Sequence, residues 1–358
     1  MGGNSQRLRR FGSGGGVAVD VIKTRILGAH QVDQAASLLA QGQVVAFPTE
    51  TVYGLGANAL DSGAVEAIFK AKGRPQDNPL IVHLGEQSQA DKYVQAIPPK
   101  ARLLMERFWP GPLTLVLAKT GQVPPVVTAG LDTVALRVPD HPLALELLRQ
   151  TGFPLAAPSA NLSGRPSPTR AEHVLADLGG RIPAILDGGE TGWGLESTVL
   201  DCTVEPFRLL RPGGVTLEDL RALVPVTFAA SEGEDKEPPR SPGMKYQHYA
   251  PDATVFLLTG QGVRARIQEE SEPYRRRGQK VGVMTWNERS HLYSGFTVLP
   301  MGSEGDLQTL ANKLYHLLRQ ADHLGLDVLY IEGVPEADLG LAIMNRLRKA
   351  ADYREIKT

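Results

Sequence analysis

Short apolar, strand-like runs alternate with helical segments along most of this chain, and that alternation restricts it to an α/β architecture. In the first half, the strand-like runs include Gln43–Phe47, Leu80–Leu84 and Val134–Val138, and helical spacing covers Val32–Leu39 and Ala64–Lys72. Later in this half, several strand-like segments follow one another with little helix between them. This order favours a twisted mixed sheet over a doubly wound parallel one.

A change in composition separates this half from the rest of the chain. The 358 residues are enough for two domains, and the segment 226–252 is rich in charge, proline and glycine without periodicity, as linkers are. Beyond it, strand and helix patterns alternate again, which predicts a small open parallel sheet. We therefore expect a flexible basic, glycine-rich tail at 1–24, an α/β domain at 25–225, a linker or lid at 226–252 and a Rossmann-like α/β domain at 253–358.

Composition excludes several classes of protein. No apolar run approaches the roughly 20 residues that a membrane span needs, so a membrane protein is excluded. The single cysteine, Cys202, cannot form an internal disulfide, and no Cys/His spacing indicates structural zinc, so a cytoplasmic location and no protein metal site are expected. The formal net charge of −1 leaves RNA binding to a local basic patch, and only weak binding is expected.

A glycine-containing segment, Pro48–Gly56, follows the first buried strand-like run. Gly54, Gly56 and Ala59 satisfy the dinucleotide pattern G-x-G-x-x-A, which leaves a nicotinamide oxidoreductase as an alternative. That function also needs an acidic residue at the end of the next strand, where this sequence has His83. We interpret the glycines as turn formers.

Cations in two segments of the sequence are candidates for binding an anionic ligand. Lys70, Lys72 and Arg74 lie where a helix ends, and the ordinary explanation is complementarity to the helix dipole. The chain has no G-x-x-x-x-G-K-S/T loop, so side-chain cations must balance the charge of any bound ATP. Arg137 lies within an apolar strand, where a guanidinium needs a carboxylate or phosphate partner. An internal ion pair and a bound ligand both meet that need.

Small hydrogen-bonding residues fill the segment Ala157–Ser167 after a short strand, a composition that suits either a solvated turn or a nucleotide pocket. Glu196–Thr198 and Arg208–Gly214 add polar strand ends in the same half. The linker segment Ser241–Pro251 carries two aromatic residues, a lysine and a histidine, which are unusual in a passive tether. We interpret this segment as a lid.

Taken together, these segments resemble the YrdC/Sua group of threonylcarbamoyladenylate synthases from about Gly42 to Val224 and through the linker. The resemblance is carried, in order, by PTETVYGLG, KGRPQDNPLIVHL, WPGPLTLVL, DTVALRVP, APSANLSG, LESTVLD, RPGG and SPGMKYQHYAP. It implies a YrdC-like twisted mixed sheet with a concave cavity, and a smaller Rossmann-like α/β domain at the C-terminus. It also implies an enzyme that joins L-threonine, bicarbonate or CO2, and ATP.

The resemblance also places functional residues. It puts the catalytic paired K-x-R and S-x-N elements on Lys72, Arg74, Ser159 and Asn161. It assigns L-threonine binding to Thr51, His83, Arg137, Ala157 and Ser197. It assigns ATP binding to Arg74, Asn78, Thr133, Ser159, Ser167, Arg211 and Tyr249.

The implied chemistry brings anions together, because a carbamate made from threonine attacks the α-phosphate of ATP. The arginines and lysine, with Mg²⁺ carried by the triphosphate, would offset that repulsion. No side chain resembles a covalent nucleophile, so catalysis by positioning and electrostatics is expected. The implied product is handed to a tRNA threonylcarbamoyl transferase. A different class of function, binding of double-stranded RNA or tRNA without catalysis, is kept as the alternative.

Overall fold

The computed structural model describes residues 22–228 and 249–358, which form two α/β domains. The strands of the N-terminal domain are β1 Arg25–Leu27, β2 Val45–Phe47, β3 Gly54–Asn58, β4 Ile81–His83, β5 Leu113–Ala118, β6 Thr133–Arg137, β7 Leu155–Ala156, β8 Ala184–Leu186, β9 Thr198–Asp201, β10 Phe207–Arg211 and β11 Val226–Thr227. Its helices are α1 Val32–Ala40, α2 Ser62–Lys72, α3 Pro99–Phe108, α4 Pro125–Thr128, α5 Pro142–Thr151, α6 Ala171–Leu178 and α7 Leu217–Arg221. Short 3-10 turns cover Ala29–Gln31 and Gln87–Lys92.

The eleven strands form one mixed sheet in the order β1-β8-β2-β3-β7-β4-β6-β5-β9-β10-β11. Parallel and antiparallel neighbours are interspersed: β4 runs parallel to β6, whereas β5 runs antiparallel to β6 and parallel to β9. The expectation of a mixed sheet is therefore confirmed. In this order β4, β6 and β7 lie at the centre, so the polar residues at their ends and in the loops that follow are brought close together.

The interpretation of Gly54 and Gly56 as turn formers is wrong. Both glycines lie within β3, which pairs antiparallel with β2, so they are part of a hairpin strand and not of the turn that precedes helix α2 at Ser62. A Cβ added to Gly56 would lie 2.8 Å from Cε1 of Phe47, so the absence of a side chain is what lets this ring pack against the strand. Because a dinucleotide fingerprint needs a strand, a tight turn and a helix in succession, the hairpin rules out the nicotinamide alternative.

Helix α2 ends where the cations were expected. The Asp61 side chain accepts hydrogen bonds from the amides of Gly63 and Ala64 at its start, and Gly73 ends it in the left-handed conformation, with φ of 62°. Lys72 is therefore the last helical residue, and the chain reverses direction immediately before Arg74. The lysine lies on the buried face of the helix, with Val65, Ile68 and Phe69, and is 2% exposed.

The C-terminal domain is a small parallel sheet, as expected. Its strands are β12 Thr254–Thr259, β13 Val281–Thr285, β14 Thr297–Pro300, β15 Val328–Glu332 and β16 Glu355–Lys357, and they are paired in the order β14-β13-β15-β12-β16. The helices are α8 Val263–Arg276, α9 Leu307–His323 and α10 Leu339–Ala350, with a 3-10 turn at Asn287–Leu292. All described pairings in this sheet are parallel.

Helices α9 and α10 join the two domains. Their buried apolar residues share one core cluster with Val52 and Leu195 of the N-terminal domain. Arg319 of α9 pairs with Asp177 across the boundary, with Nη2 2.8 Å from Oδ2. A Cβ on Gly194 would lie 2.4 Å from Cα of Asn312, so the backbones meet there at the closest distance that glycine permits. The second domain is thus packed firmly against the first.

The predicted tail at 1–24 and lid at 226–252 are largely outside the described residues, because residues 1–21 and 229–248 are not described. Within the described ranges, none of the helices is long and apolar enough to cross a membrane.

Candidate active site

A pocket with a cavity volume of about 60 Å³ lies beside the central strands of the N-terminal domain. Its walls are formed by Thr49, Thr51, Val52, Gly54, Arg74, Ile81, His83, Arg137, Ala157, Pro158, Ser159, Asn161, Glu196, Ser197, Arg211 and Tyr249. Most of the residues predicted from the sequence are among them. Those that do not line it are Lys72, Asn78, Thr133 and Ser167.

The loop between β2 and β3 places hydroxyl groups in the wall. The Thr49 hydroxyl donates to the carbonyl of Val52 at 2.6 Å and accepts from the amide of Thr51 at 3.2 Å, which closes a tight buried turn. The hydroxyls of Thr49 and Thr51 are 2.8 Å apart and hydrogen-bond to each other. The Thr51 oxygen also accepts a hydrogen bond from Arg137, so its position in the cavity wall is fixed.

Arg137 ends β6 with its guanidinium held by three groups. Its Nε donates to the carbonyl of Gly111 at 3.1 Å, and its Nη1 donates to the Thr51 hydroxyl at 3.1 Å. Its Nη2 lies 2.5 Å from a carboxylate oxygen of Glu50, which sequence reasoning did not single out. The internal ion pair is therefore present. The two side chains are not oriented for a hydrogen bond, however, and among the described residues no acceptor is in hydrogen-bond geometry with Nη2.

His83 lies beside Arg137, because β4 and β6 pair in parallel with these two residues in register. Its Nδ1 is 3.3 Å from the carbonyl of Ile81, and the Phe47 ring packs edge-on at 5.9 Å between ring centres. Burial and the neighbouring charge of Arg137 lower the pKa of His83 to about 3. The imidazole is consequently neutral near pH 7 and adds no charge to the cavity.

The loop after β7 carries Ser159 and Asn161, and Lys72 holds it in place. The Lys72 Nζ donates to the carbonyl oxygens of Ser159 and Asn161 at 2.6 and 2.5 Å. The Ser159 hydroxyl donates to Oδ1 of Asn161 at 2.5 Å. Burial and the nearby charge of Arg74 lower the pKa of Lys72. In this structure the lysine thus contacts the loop backbone behind the cavity wall.

Of three further residues predicted to bind ATP, only Arg74 lines the cavity. Asn78 is 1% exposed, and neither its amide oxygen nor its amide nitrogen has a hydrogen-bond partner among the described residues. Buried amides are normally hydrogen-bonded, so this side chain has unused capacity for a ligand. Thr133 begins β6 on the same face as Arg137, four residues earlier, and lies outside the cavity wall.

Ser197 and Arg211 form the opposite wall. Nε and Nη2 of Arg211 donate to the carbonyl of Ser197 at 3.1 and 2.9 Å, and the Ser197 hydroxyl is 2.8 Å from that of Thr114. A Cβ on Gly213 would lie 2.3 Å from the amide nitrogen of Thr198. The RPGG segment therefore needs glycine to bring its backbone against the strand that carries Ser197.

Glu196 is the site residue that sequence reasoning missed most clearly. It accepts hydrogen bonds from Ser167 at 2.5 Å and from Tyr315 at 2.7 Å, and it pairs with Arg346 at 2.9 Å. Tyr315 and Arg346 belong to the C-terminal domain. A signal was available, because Arg346 lies on the face of α10 that carries the buried residues Ala342, Ile343 and Ala350.

Tyr249, the first described residue after the gap, also lines the cavity. It is 5% exposed, and its ring lies 5.2 Å from that of Tyr315 and 5.9 Å from the guanidinium carbon of Arg346. The next residue, Ala250, donates its amide to the carbonyl of Gly164 at 3.0 Å. The end of the linker is thus fixed between the two domains. The lid residues at 241–248 lie outside the described residues.

The ionisation of Glu196 should contribute measurably to stability. Burial raises its pKa, but the charges of Arg346 and Arg211 and the hydrogen bonds from Ser167 and Tyr315 outweigh burial and lower the pKa from 4.5 to about 2. Because the pKa of the folded state is the lower one, this stabilisation is present above pH 4.5 and is lost as the pH falls towards 2. It amounts to about 3 kcal/mol at neutral pH.

We expect the wild type to exceed Glu196→Gln in unfolding free energy at pH 7, and the difference to narrow by more than half at about pH 3. Urea unfolding of both proteins across this pH range measures the difference. A gap that stays constant down to about pH 3 would show that Glu196 titrates normally.

The fold and the cavity define a two-domain α/β enzyme whose site is built from guanidinium, hydroxyl and amide groups. Residues 37–213 match the family model described as telomere recombination, and residues 215–352 match the model of the threonylcarbamoyl-AMP synthase C-terminal domain. The chain belongs to the Sua5/YrdC family of threonylcarbamoyl-AMP synthases, which are nucleotidyltransferases. This membership confirms the resemblance drawn from the sequence motifs.

The relatives match over nearly their full length. The threonylcarbamoyl-AMP synthase of Bacillus subtilis (strain 168) is 51% identical, and the match covers 95% of this chain and 98% of that protein. That of Pyrococcus abyssi is 50% identical over 90% of this chain and 94% of that protein. A crystal structure of P. abyssi Sua5 complexed with L-threonine is 47% identical, with a TM-score of 0.87, and covers 94% of this chain and 100% of that one.

Proposed function

We propose that this chain condenses L-threonine, bicarbonate or CO2, and ATP to threonylcarbamoyl-AMP and pyrophosphate; its relatives are named as synthases of threonylcarbamoyl-AMP. The observation that carries the proposal is the cavity itself. Its wall combines the guanidinium of Arg137, whose five N–H groups exceed its three partners, with hydroxyl groups in fixed positions and two further arginines. These groups suit an amino acid carboxylate on one side and a polyphosphate on the other.

Arg137 is the proposed anchor for threonine. Its Nη2 is paired with Glu50, but the guanidinium has five N–H groups and three partners, so an N–H remains to donate to the threonine carboxylate. The Thr51 hydroxyl is already bonded to Nη1 of the same guanidinium and lies beside that position. His83, the Ala157 backbone and Ser197 complete this part of the wall, and neutral His83 does not compete for the carboxylate.

Arg74 and Arg211 are the proposed contacts for the phosphates of ATP, with Ser159 and Tyr249 in the same cavity wall. Asn78 and Ser167 are buried outside that wall, close in sequence to Arg74 and Ser159, respectively. Thr133 would contact only a ligand that extends along β6. Mg²⁺ enters as part of the nucleotide. The carboxylate in the described wall, Glu196, is already engaged by Arg346, so phosphate oxygens are the ligands that the metal would use.

The reaction requires two bonds to form. The threonine amine loses a proton and attacks the carbon of CO2, or of bicarbonate with loss of water, to give a carbamate. A carbamate oxygen then forms a bond to the α-phosphorus of ATP, the bond from that phosphorus to the bridging oxygen breaks, and pyrophosphate leaves with the electron pair. Lys72 and Asn161 would fix the loop that faces the reactants, while the arginines stabilise the growing negative charge.

The proposal extends to the setting in which the enzyme works. Because free carbamates decompose readily in water, the linker that ends at Tyr249 is proposed to cover the cavity during the reaction. The product would be handed to a tRNA threonylcarbamoyl transferase in the cytoplasm. Weak RNA contact at a basic patch would assist that transfer. RNA binding without catalysis is not favoured, because the family of the chain is one of enzymes.

Pyrophosphate release by the purified full chain with Mg²⁺ and ATP tests the proposal. We expect release only when L-threonine and bicarbonate are both present, together with a product of the mass of threonylcarbamoyl-AMP. Serine and valine, which each lack one feature of the threonine side chain, are the matched controls. Pyrophosphate release that does not depend on threonine, or none at all, would refute the proposed reaction.

A further inference from the structure

The C-terminal domain reaches the cavity wall through one fully buried arginine of α10. Arg346 is 0% exposed and crosses the boundary between the domains. Its Nε donates to the Glu196 carboxylate at 2.9 Å, its Nη2 donates to the Glu196 carbonyl at 3.3 Å, and its Nη1 donates to the carbonyl of Pro212 at 2.7 Å. A single side chain thus holds two separate segments of the N-terminal domain.

In each segment, the residue bonded by Arg346 is adjacent in sequence to a cavity residue. Glu196 precedes Ser197, and Pro212 follows Arg211, and both Ser197 and Arg211 line the cavity. These two are themselves joined, because the Arg211 guanidinium donates to the Ser197 carbonyl. A shift at Arg346 would therefore be transmitted through one peptide unit on each side to the Ser197–Arg211 pair.

Glu196 receives a second contact from the same domain. Tyr315 of α9 donates to Oε2 at 2.7 Å, while Ser167 of the N-terminal domain donates to Oε1 at 2.5 Å. The carboxylate is hydrogen-bonded by groups from both domains, and a buried carboxylate so arranged is fixed in position. Without the C-terminal domain it would keep only its Ser167 bond among these.

Two buried arginines, Arg211 and Arg346, lie beside Glu196 at this part of the wall. Burial and the charges of Arg346 and Arg211 lower the pKa of Lys349 to about 7, so this lysine is only partly charged at neutral pH. The location beside Arg211 matches the side of the cavity assigned to the phosphates.

We propose that Arg346 is a positioning residue for the nucleotide: it fixes Glu196 and Pro212, and so sets where Ser197 and Arg211 meet the substrates. The site is then complete only when the C-terminal domain is docked. This inference rests on the proposed function for its kinetic consequences. Its effect on nucleotide binding can be measured independently of turnover.

The experiment compares Arg346→Gln with a matched control, Arg348→Gln, two residues along the same helix. Arg348 pairs with Glu336 and Glu355 inside the C-terminal domain and does not reach the first domain in the described structure. Both variants lose one guanidinium from α10. We expect Arg346→Gln to raise the KM for ATP by roughly 10- to 100-fold. The KM of the control for ATP should stay within about 3-fold of the wild-type value, because a substitution away from the site usually has a small effect.

Three further measurements separate positioning from general destabilisation. Calorimetric binding of a non-hydrolysable ATP analogue should weaken in Arg346→Gln and not in Arg348→Gln, and thermal unfolding checks that both are folded. Arg346→Lys keeps the charge but cannot bond both segments, so it should recover only part of the affinity. If Arg346→Gln does not fold, Arg346→Lys replaces it and should still bind the ATP analogue more weakly than Arg348→Gln.

The outcomes distinguish the two claims. Wild-type affinity for the ATP analogue in folded Arg346→Gln would overturn the positioning role, whatever the activity. Equal weakening in Arg346→Gln and Arg348→Gln would also overturn it, since the effect would then reflect the stability of α10. A further outcome is that the wild type releases no pyrophosphate in response to threonine while Arg346→Gln still binds the ATP analogue more weakly than Arg348→Gln. That result would refute only the proposed reaction.

Discussion

Replacing Arg74 by glutamine should lower kcat for threonine-dependent pyrophosphate release by roughly 100- to 1,000-fold, the usual cost of removing one group that stabilises developing charge. Arg74 lines the cavity, and its guanidinium is directed by a turn that begins at the left-handed Gly73. The carbamate and the triphosphate are both anions, so a missing cation should affect the transition state, in which their charges are closest.

The control for this prediction is Lys70→Gln. Lys70 is a cation in the last turn of the same helix, but it is exposed and does not line the cavity. Its removal changes the net charge by the same amount and should leave kcat within about 2-fold of wild type, since exposed charges are largely screened. Rates measured at saturating threonine, bicarbonate and Mg·ATP provide the comparison. Equal losses in the two variants would indicate a general electrostatic effect and contradict a specific role for Arg74.

Replacing Arg137 by glutamine should have two separate effects, because this arginine meets both Glu50 and the proposed threonine carboxylate. Stability should fall by about 3–5 kcal/mol, since the Glu50 carboxylate would remain buried without its counter-charge. The KM for threonine should rise by on the order of 100-fold, as expected when a charge-assisted contact to a carboxylate is lost.

The double variant Glu50→Gln/Arg137→Gln separates these effects. It carries neither buried charge, so urea unfolding should show most of the stability restored, while the KM for threonine stays high. Glu50→Gln alone should lose stability but keep threonine binding, because the guanidinium is still present. If the double variant binds threonine like the wild type, Arg137 is only the partner of Glu50 and the proposed anchor is wrong.

The element pattern of this chain could be predicted from local sequence. Helix α1 and strand β2 coincide closely with the predicted segments, and the small parallel sheet of the C-terminal domain was also predicted, because periodic apolar residues determine which face of an element is buried. Gly54 and Gly56 show the limit of such reasoning. Their strand conformation depends on pairing with β2 and on the Phe47 ring, which no local signal reports.

The candidate site divides in the same way. Arg74 was singled out as a cation at a helix end, Arg137 as a guanidinium within an apolar strand, and Ser159 through the family resemblance, and the structure brings them into one wall. Lys72 was singled out as Arg74 was, but its Nζ bonds to the loop backbone behind that wall. The roles assigned to all four stay predictions until the variants are measured.

The sequence by itself determined the α/β class, the division into two domains and the family, because these depend on periodicity and on motifs that are local in the chain. Only the tertiary structure decided how charges are paired. Glu50 meets Arg137 and Glu196 meets Arg346 across 87 and 150 residues of sequence, respectively. Pairing at such separations is set by the packing of the sheet and of α10, since a buried charge must find its partner in space rather than along the chain.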